Sequence, residues 1–141
     1  MASSTKPIVF LSFDIVHDEP ERLRFLEQMD RSAVSFSVDD WTRGELPLSG
    51  RNSLVRGRIS RSSVMIILVG ERTHLSNVVA SEIQMSKGAN VPFFGVYIGQ
   101  QEPPCELPPG LPGNRTIAWD WEQISSAIGQ LMTEGKHHIF K

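Results

Sequence analysis

The stretch VMIILVG, Val64–Gly70, decides the fold. It is the most apolar run in the chain, it shows no polar alternation, and Gly70 stops it. A strand with that pattern is covered on both faces, as at the centre of a parallel sheet. Upstream, residues 51–63 place Val55 and Ile59 one helical turn apart with Leu54 beside them. Downstream, the polar loop ERTHLSN leads to a helix around Val78–Lys87 that should stop near Gly88 and Asn90. VPFFGVYI follows as a strand, with Pro92 at its start, where a missing N–H is tolerated.

The rest of the chain repeats this alternation. IVFLSF, residues 8–13, is apolar almost throughout and reads as the first strand. Glu21–Arg31 is helical, with Leu23 and Leu26 and, in looser register, Phe25 and Met29 on one face, and Pro20 in the first turn. In VSFSVDDW, Val34, Phe36 and Val38 alternate with Ser35 and Ser37, so this second strand belongs nearer the sheet edge. Thr42–Gly50, with Gly44 and Pro47, is a long loop, and Gly99–Gly113 holds five of the nine prolines and reads as a stiff surface excursion. TIAWDW is a short last strand, and Glu122–Met132 a last helix with Ile124, Ala127, Ile128 and Leu131 on one stripe.

Strands and helices in strict alternation predict a three-layer α/β domain over 1–141, with a central parallel five-stranded sheet and helices on both faces. In such sheets ligands bind at the carboxyl ends of the strands. Function is therefore expected in the loops after Phe13, Val38 and Val69.

Composition excludes several classes. The 141 residues suffice for one core without a metal or disulfide staple, and the single Cys105 fits a reducing, cytoplasmic setting better than a secreted one. Fourteen basic against sixteen acidic residues give a net charge of −2, which does not favour nucleic acid. The longest apolar run falls far short of the roughly 20 residues that cross a bilayer. Acidic residues from Asp14 onward interrupt the first apolar stretch before a secretory signal could form.

The first candidate loop, Asp14–Pro20, holds two aspartates, one glutamate and His17. Acids there favour the start of the next helix through its dipole, with His17 exposed. Residue type alone also permits a metal at Asp14, His17 and Asp18, with nothing to fix its geometry, so no metal is assigned. Glycine-rich dinucleotide and P-loop fingerprints are absent. A phosphorylatable aspartate after the third strand is missing too, since Val69, Gly70 and Glu71 stand there. Arg51, Arg56, Arg58 and Arg61 form a basic stripe on their helix, read as a solvated face or as an interface for an acidic or phosphate-bearing partner. Glu82 lies one turn inside the helix after the central strand, between Ala80 and Ile83, from where it would face the cleft.

Taken together, IVFLSFDIVHDE, VSFSVDDW, RGRISRSSVMIILVGERTHLS and SEIQMSKGANVPFFGVYI resemble a TIR domain, and in particular the TIR-like family of the sensor subunit of bacterial Thoeris anti-phage systems. The resemblance implies a flavodoxin-like fold and cleavage of NAD at the nicotinamide glycosidic bond by one glutamate, here Glu82. NAD would be the substrate, with no separate cofactor, and a cyclic ADP-ribose isomer or related signal would leave for a partner effector. It further implies that Phe13 and Asp14 end the strand lining the nucleotide site, and that Asp39, Asp40 and Trp41 end the next, Trp41 stacking on a planar ring. His74 and Ser76 sit before the glutamate helix, and Arg43 lies in the loop that regulates access and self-assembly, able to pair with a phosphate. A phage-derived trigger is the expected activator. The chain departs from the family at Val78 and Ser81, where tryptophan is common. Two other readings stay open at this point: a non-catalytic module signalling by self-association, and a nucleotide binder without turnover.

Overall fold

The computed structural model describes residues 6–32, 34–39, 51–98 and 106–134. Five strands form one sheet: β1 (Ile8–Ser12), β2 (Ser37–Val38), β3 (Val64–Val69), β4 (Phe93–Tyr97) and β5 (Thr116–Ala118). Four α-helices connect or follow them: α1 (Glu19–Arg31), α2 (Arg51–Ser60), α3 (Asn77–Gly88) and α4 (Trp121–Glu134). All strand pairs are parallel, in the order β2-β1-β3-β4-β5. The three-layer parallel fold expected from the alternation is therefore the fold observed.

β3 is buried at every residue, and its side chains divide between two cores. Val64, Ile66 and Leu68 pack with Phe25 of α1 and with Ile124, Ala127, Ile128 and Leu131 of α4. Met65, Ile67 and Val69 pack with Val55 and Ile59 of α2 and with Val79 and Ile83 of α3. This is the period-two geometry of a strand read out on both faces, and it explains why the run shows no alternation in polarity.

Two expectations change at the sheet edges. The second strand shrinks to Ser37–Val38, because as an edge strand it has only β1 to pair with, through Ile8↔Ser37 and Val9↔Val38. The last strand ends at Ala118 rather than continuing through the tryptophans. Asp120 Oδ1 accepts from the N–H groups of Glu122 and Gln123, at 2.9 and 3.2 Å, and so starts α4 immediately. Trp119 and Trp121 pack instead on Phe25, with ring centroids 5.9 and 4.7 Å away.

The chain moves outward from β1 to β2 and then crosses to β3 on the other side of β1. That reversal opens a crevice between the carboxyl ends of β1 and β3. No helix among the described residues is long and apolar enough to cross a membrane.

Ile67 is fully buried between β1 and β4, so its truncation leaves a cavity that parallel neighbours cannot close. Ile67→Ala is expected to lower unfolding free energy by about 3 kcal/mol in a denaturant titration. A loss under about 1 kcal/mol would contradict the central placement.

Candidate functional site

The crevice is built from the last residue of β1 outward. Ser12 follows Phe10 by two residues and so presents its side chain to the α2/α3 layer. There its hydroxyl donates to Glu82 Oε1 at 2.7 Å. Ser12 is fully buried and Glu82 only 2% exposed. Glu82 is placed by α3, whose first turn is capped by Ser76: the Ser76 Oγ accepts from Val79 N–H at 3.2 Å. The carboxylate thus comes to the carboxyl ends of β1 and β3, in the crevice that the topology creates.

A second polar cluster ties the two flanking loops together. Thr73 Oγ1 accepts from Gly70 N–H at 2.7 Å and lies 3.2 Å from Asp18 Oδ2 and 3.3 Å from the Leu68 carbonyl, both acceptors for its proton. Thr73 is fully buried and Asp18 nearly so. A Cβ on Gly70 would fall 2.7 Å from Asp18 Oδ2, so this carboxyl occupies the space a side chain would need. Asp18 precedes α1 but makes no capping bond with its side chain. The expected surface acid at the helix start is instead a buried link between the loops after β1 and β3. Burial pushes its carboxyl above the ordinary 3.8; Asp14 and Glu21 add to the rise, while the Thr73 hydroxyl and His17 oppose it.

The other anticipated residues are distributed as follows. Asp14 is buried and shapes its own loop: Oδ1 accepts from Val16 N–H at 3.0 Å, and Oδ2 lies 2.7 Å from His17 Nδ1. Phe13 packs in the α1/α4 core, on the layer opposite Glu82, with the Arg22 guanidinium 5.5 Å from its ring centre. Asp39 accepts from Arg58 Nη1 at 2.6 Å, which removes Arg58 from the solvated stripe, while Arg56 and Arg61 are exposed. Asp40, Trp41 and Arg43 lie outside the described residues, as do the side chain of Arg51 and Cys105. His74 sits in a short 3-10 turn (Thr73–Leu75) leading to α3, and its buried Nδ1 has no hydrogen-bond partner among the described residues. Val78 and Ser81 are both exposed. No group of three or more His, Cys, Asp or Glu side chains gathers as a metal set among the described residues.

Ser12 and Thr73 have no place in the sequence reading, and Asp18 enters it only as a helix-start acid or one of three residues whose types permit a metal. Ser12 carries one signal, a hydroxyl inside an otherwise apolar buried strand. The link between Asp18 and Thr73 carries none, because it spans 55 residues.

The cluster makes two stability predictions. Thr73→Val removes the buried hydroxyl that joins Gly70 N–H to Asp18 and is expected to cost about 1–3 kcal/mol, read by denaturant unfolding. For Asp18, a raised folded pKa means that stability is fullest below the ordinary carboxyl value and declines as pH rises through the folded value. Asp18→Asn should therefore unfold at higher temperature than the parent at pH 7, with the difference closing as pH falls below 4 (the ordinary value being 3.8). A constant difference across that range would show that Asp18 is not held against its charge.

The family model described as the TIR-like domain of the Thoeris protein ThsB matches residues 10–103, which run from β1 through β4 and include Ser12, Asp18, Thr73 and Glu82. No curated protein matches the chain.

Proposed function

Because the chain belongs to the TIR-like domain family of Thoeris ThsB, and because Ser12 holds Glu82 in the crevice between β1 and β3, we propose that it consumes NAD to make a defence signal. The reading goes beyond the defence-related TIR-like role that membership carries. Its single supporting observation is the buried Ser12–Glu82 hydrogen bond, which fixes a carboxylate at the topological switch point of the sheet.

In this reading the bond between the nicotinamide nitrogen and the ribose carbon breaks, and nicotinamide departs as a neutral group with the bonding electron pair. The ribose carbon becomes oxocarbenium-like. Glu82 stabilises that developing positive charge and holds the ribose hydroxyls. Attack by water gives ADP-ribose, and attack by a nucleophile of the same molecule gives a cyclic ADP-ribose isomer. Because the leaving group is neutral, no strong general acid is required. Ser12 keeps the Glu82 side chain in one rotamer against the loss of conformational entropy that free rotation would impose. His74 Nδ1, buried and without a hydrogen-bond partner among the described residues, lies on the turn before α3 and is suited to a ligand hydroxyl.

A second reading rests on the exposed Val78 and Ser81 beside the glutamate. Without the bulk common at those places, the domain would signal by self-association and need no turnover.

One experiment separates the two. Purified protein, activated by lysate of phage-infected cells, is incubated with NAD, and nicotinamide release is measured for the parent, Glu82→Gln and Ser12→Ala. Glu82→Gln should lose activity by about 10²–10³-fold with its fold intact. Ser12→Ala should lose about tenfold or more in kcat, since a hydrogen bond to a charged group is worth about 1.5–3 kcal/mol. If the activated parent releases no nicotinamide, the enzymatic reading fails. Full anti-phage protection by Glu82→Gln would establish the assembly reading in its place.

A further inference from the structure

A cavity of about 310 Å³ lies away from Glu82, at the amino end of β4, lined in part by Lys87, Asn90, Val91, Pro92, Gly110 and Arg115. Its walls are fixed by local chemistry. After α3 the chain turns through Asn90 at φ 60°, a left-handed conformation that asparagine tolerates. The Ser86 hydroxyl donates to the Val91 carbonyl at 2.6 Å, and Val91 N–H returns a bond to Ser86 O at 2.9 Å. The Pro92 carbonyl accepts from Met65 N–H at 3.0 Å, which fastens the same turn to the central strand.

The facing wall is Gly110, at φ +92°. A Cβ there would fall 3.0 Å from Ile83 Cγ2 and 3.2 Å from Lys87 Nζ, so both backbone and space select glycine. The same closeness locates the Lys87 ammonium at the cavity wall. On the floor, Arg115 Nη1 donates to the Phe93 carbonyl at 3.4 Å. Partial burial lowers the Arg115 pKa from its ordinary value, the mark of a guanidinium partly stripped of water. It remains a cation at neutral pH.

No carboxylate among the described residues lines the cavity. Among the described residues, neither Lys87 nor Arg115 takes part in an ion pair. In a chain of net charge −2, two cationic heads around one concavity, with no counter-charge among the described residues, are a local exception. A partly desolvated guanidinium beside an ammonium gains most from a charge-assisted bond to an anion. Pro92, Pro112 and Phe93 add stiff apolar wall. The volume stands at the small end of ligand pockets, enough for one ring and its substituent and too small for a dinucleotide.

We propose that this cavity binds a small organic anion, a phosphomonoester or carboxylate borne on a flat apolar group, at a site separate from the Glu82 crevice. Lys87 and Arg115 hold the anionic head, and the proline and phenylalanine walls pack the ring. The site does not depend on NAD turnover.

Phenyl phosphate, benzoate and phenol, each titrated into the isotopically labelled full chain up to tens of millimolar, test it through backbone amide shifts. The two anions should give saturable shifts at residues 87–93 and 110–115 and leave the amides of Ser12 and Glu82 in place. Phenol should give none, and Glu82→Gln should bind as the parent does. Lys87→Glu, on an exposed helix position, and Arg115→Gln should each weaken binding by about tenfold. If Arg115→Gln unfolds because its bond to Phe93 O is lost, Lys87→Glu alone decides. No saturable shift with either anion overturns the proposal; so do equal shifts with phenol, or undiminished binding to Lys87→Glu.

Discussion

The structure depends on a strand that no water reaches. Each backbone N–H and carbonyl of Val64–Val69 must find its partner inside the sheet, because every unpaired polar group there would cost about 1–3 kcal/mol. β1 and β4 satisfy that demand from either side, and two helices must then cover each face. The crevice follows from the same constraint. With β1 and β3 side by side and their connections leaving in opposite directions, the gap between their carboxyl ends lies at the switch point of the sheet.

What fills the crevice is polar and still largely buried, which is unusual at the end of so apolar a strand. Two solutions to the same problem stand next to each other. Ser12 and Glu82 satisfy one another across the β1–α3 gap. Asp18 and Thr73 do so across the two loops, with Gly70 giving up its side-chain space to admit the carboxyl. Both pairs bind elements that are distant in sequence, so the crevice is held as one rigid piece rather than as independent loops.

The elements were legible in the residues because burial writes a pattern into a chain. VMIILV and the stripe of Ile124, Ala127, Ile128 and Leu131 announce their partners' hydrophobicity without naming those partners. Glu82 was legible through resemblance and position. Element ends were less so: Asp120 starts α4 with a local bond that outweighs the strand propensity of the tryptophans around it. The partners of Glu82 and Asp18 could not be read at all, since Ser12 and Thr73 stand 70 and 55 residues away and only the packed sheet brings them near. The ion pair of Asp39 with Arg58 belongs to the same class, because the helix periodicity that marks Arg58 as outward says nothing of what stands at the end of the preceding strand.

The Ser12–Glu82 bond has a consequence for folding as well as for chemistry. β1 is apolar on both faces, and such a strand is poorly protected against sliding along its neighbour, since a shifted alignment still buries oil against oil. The hydroxyl breaks that degeneracy. A slip of one residue would turn Leu11 or Phe13 toward α3, take the Ser12 hydroxyl away from the buried carboxylate, and put the serine among the aromatic side chains of the other layer. Glu82 thus also serves as a pin that indexes β1 against β3, so that the alignment of the sheet and the integrity of the crevice share a contact.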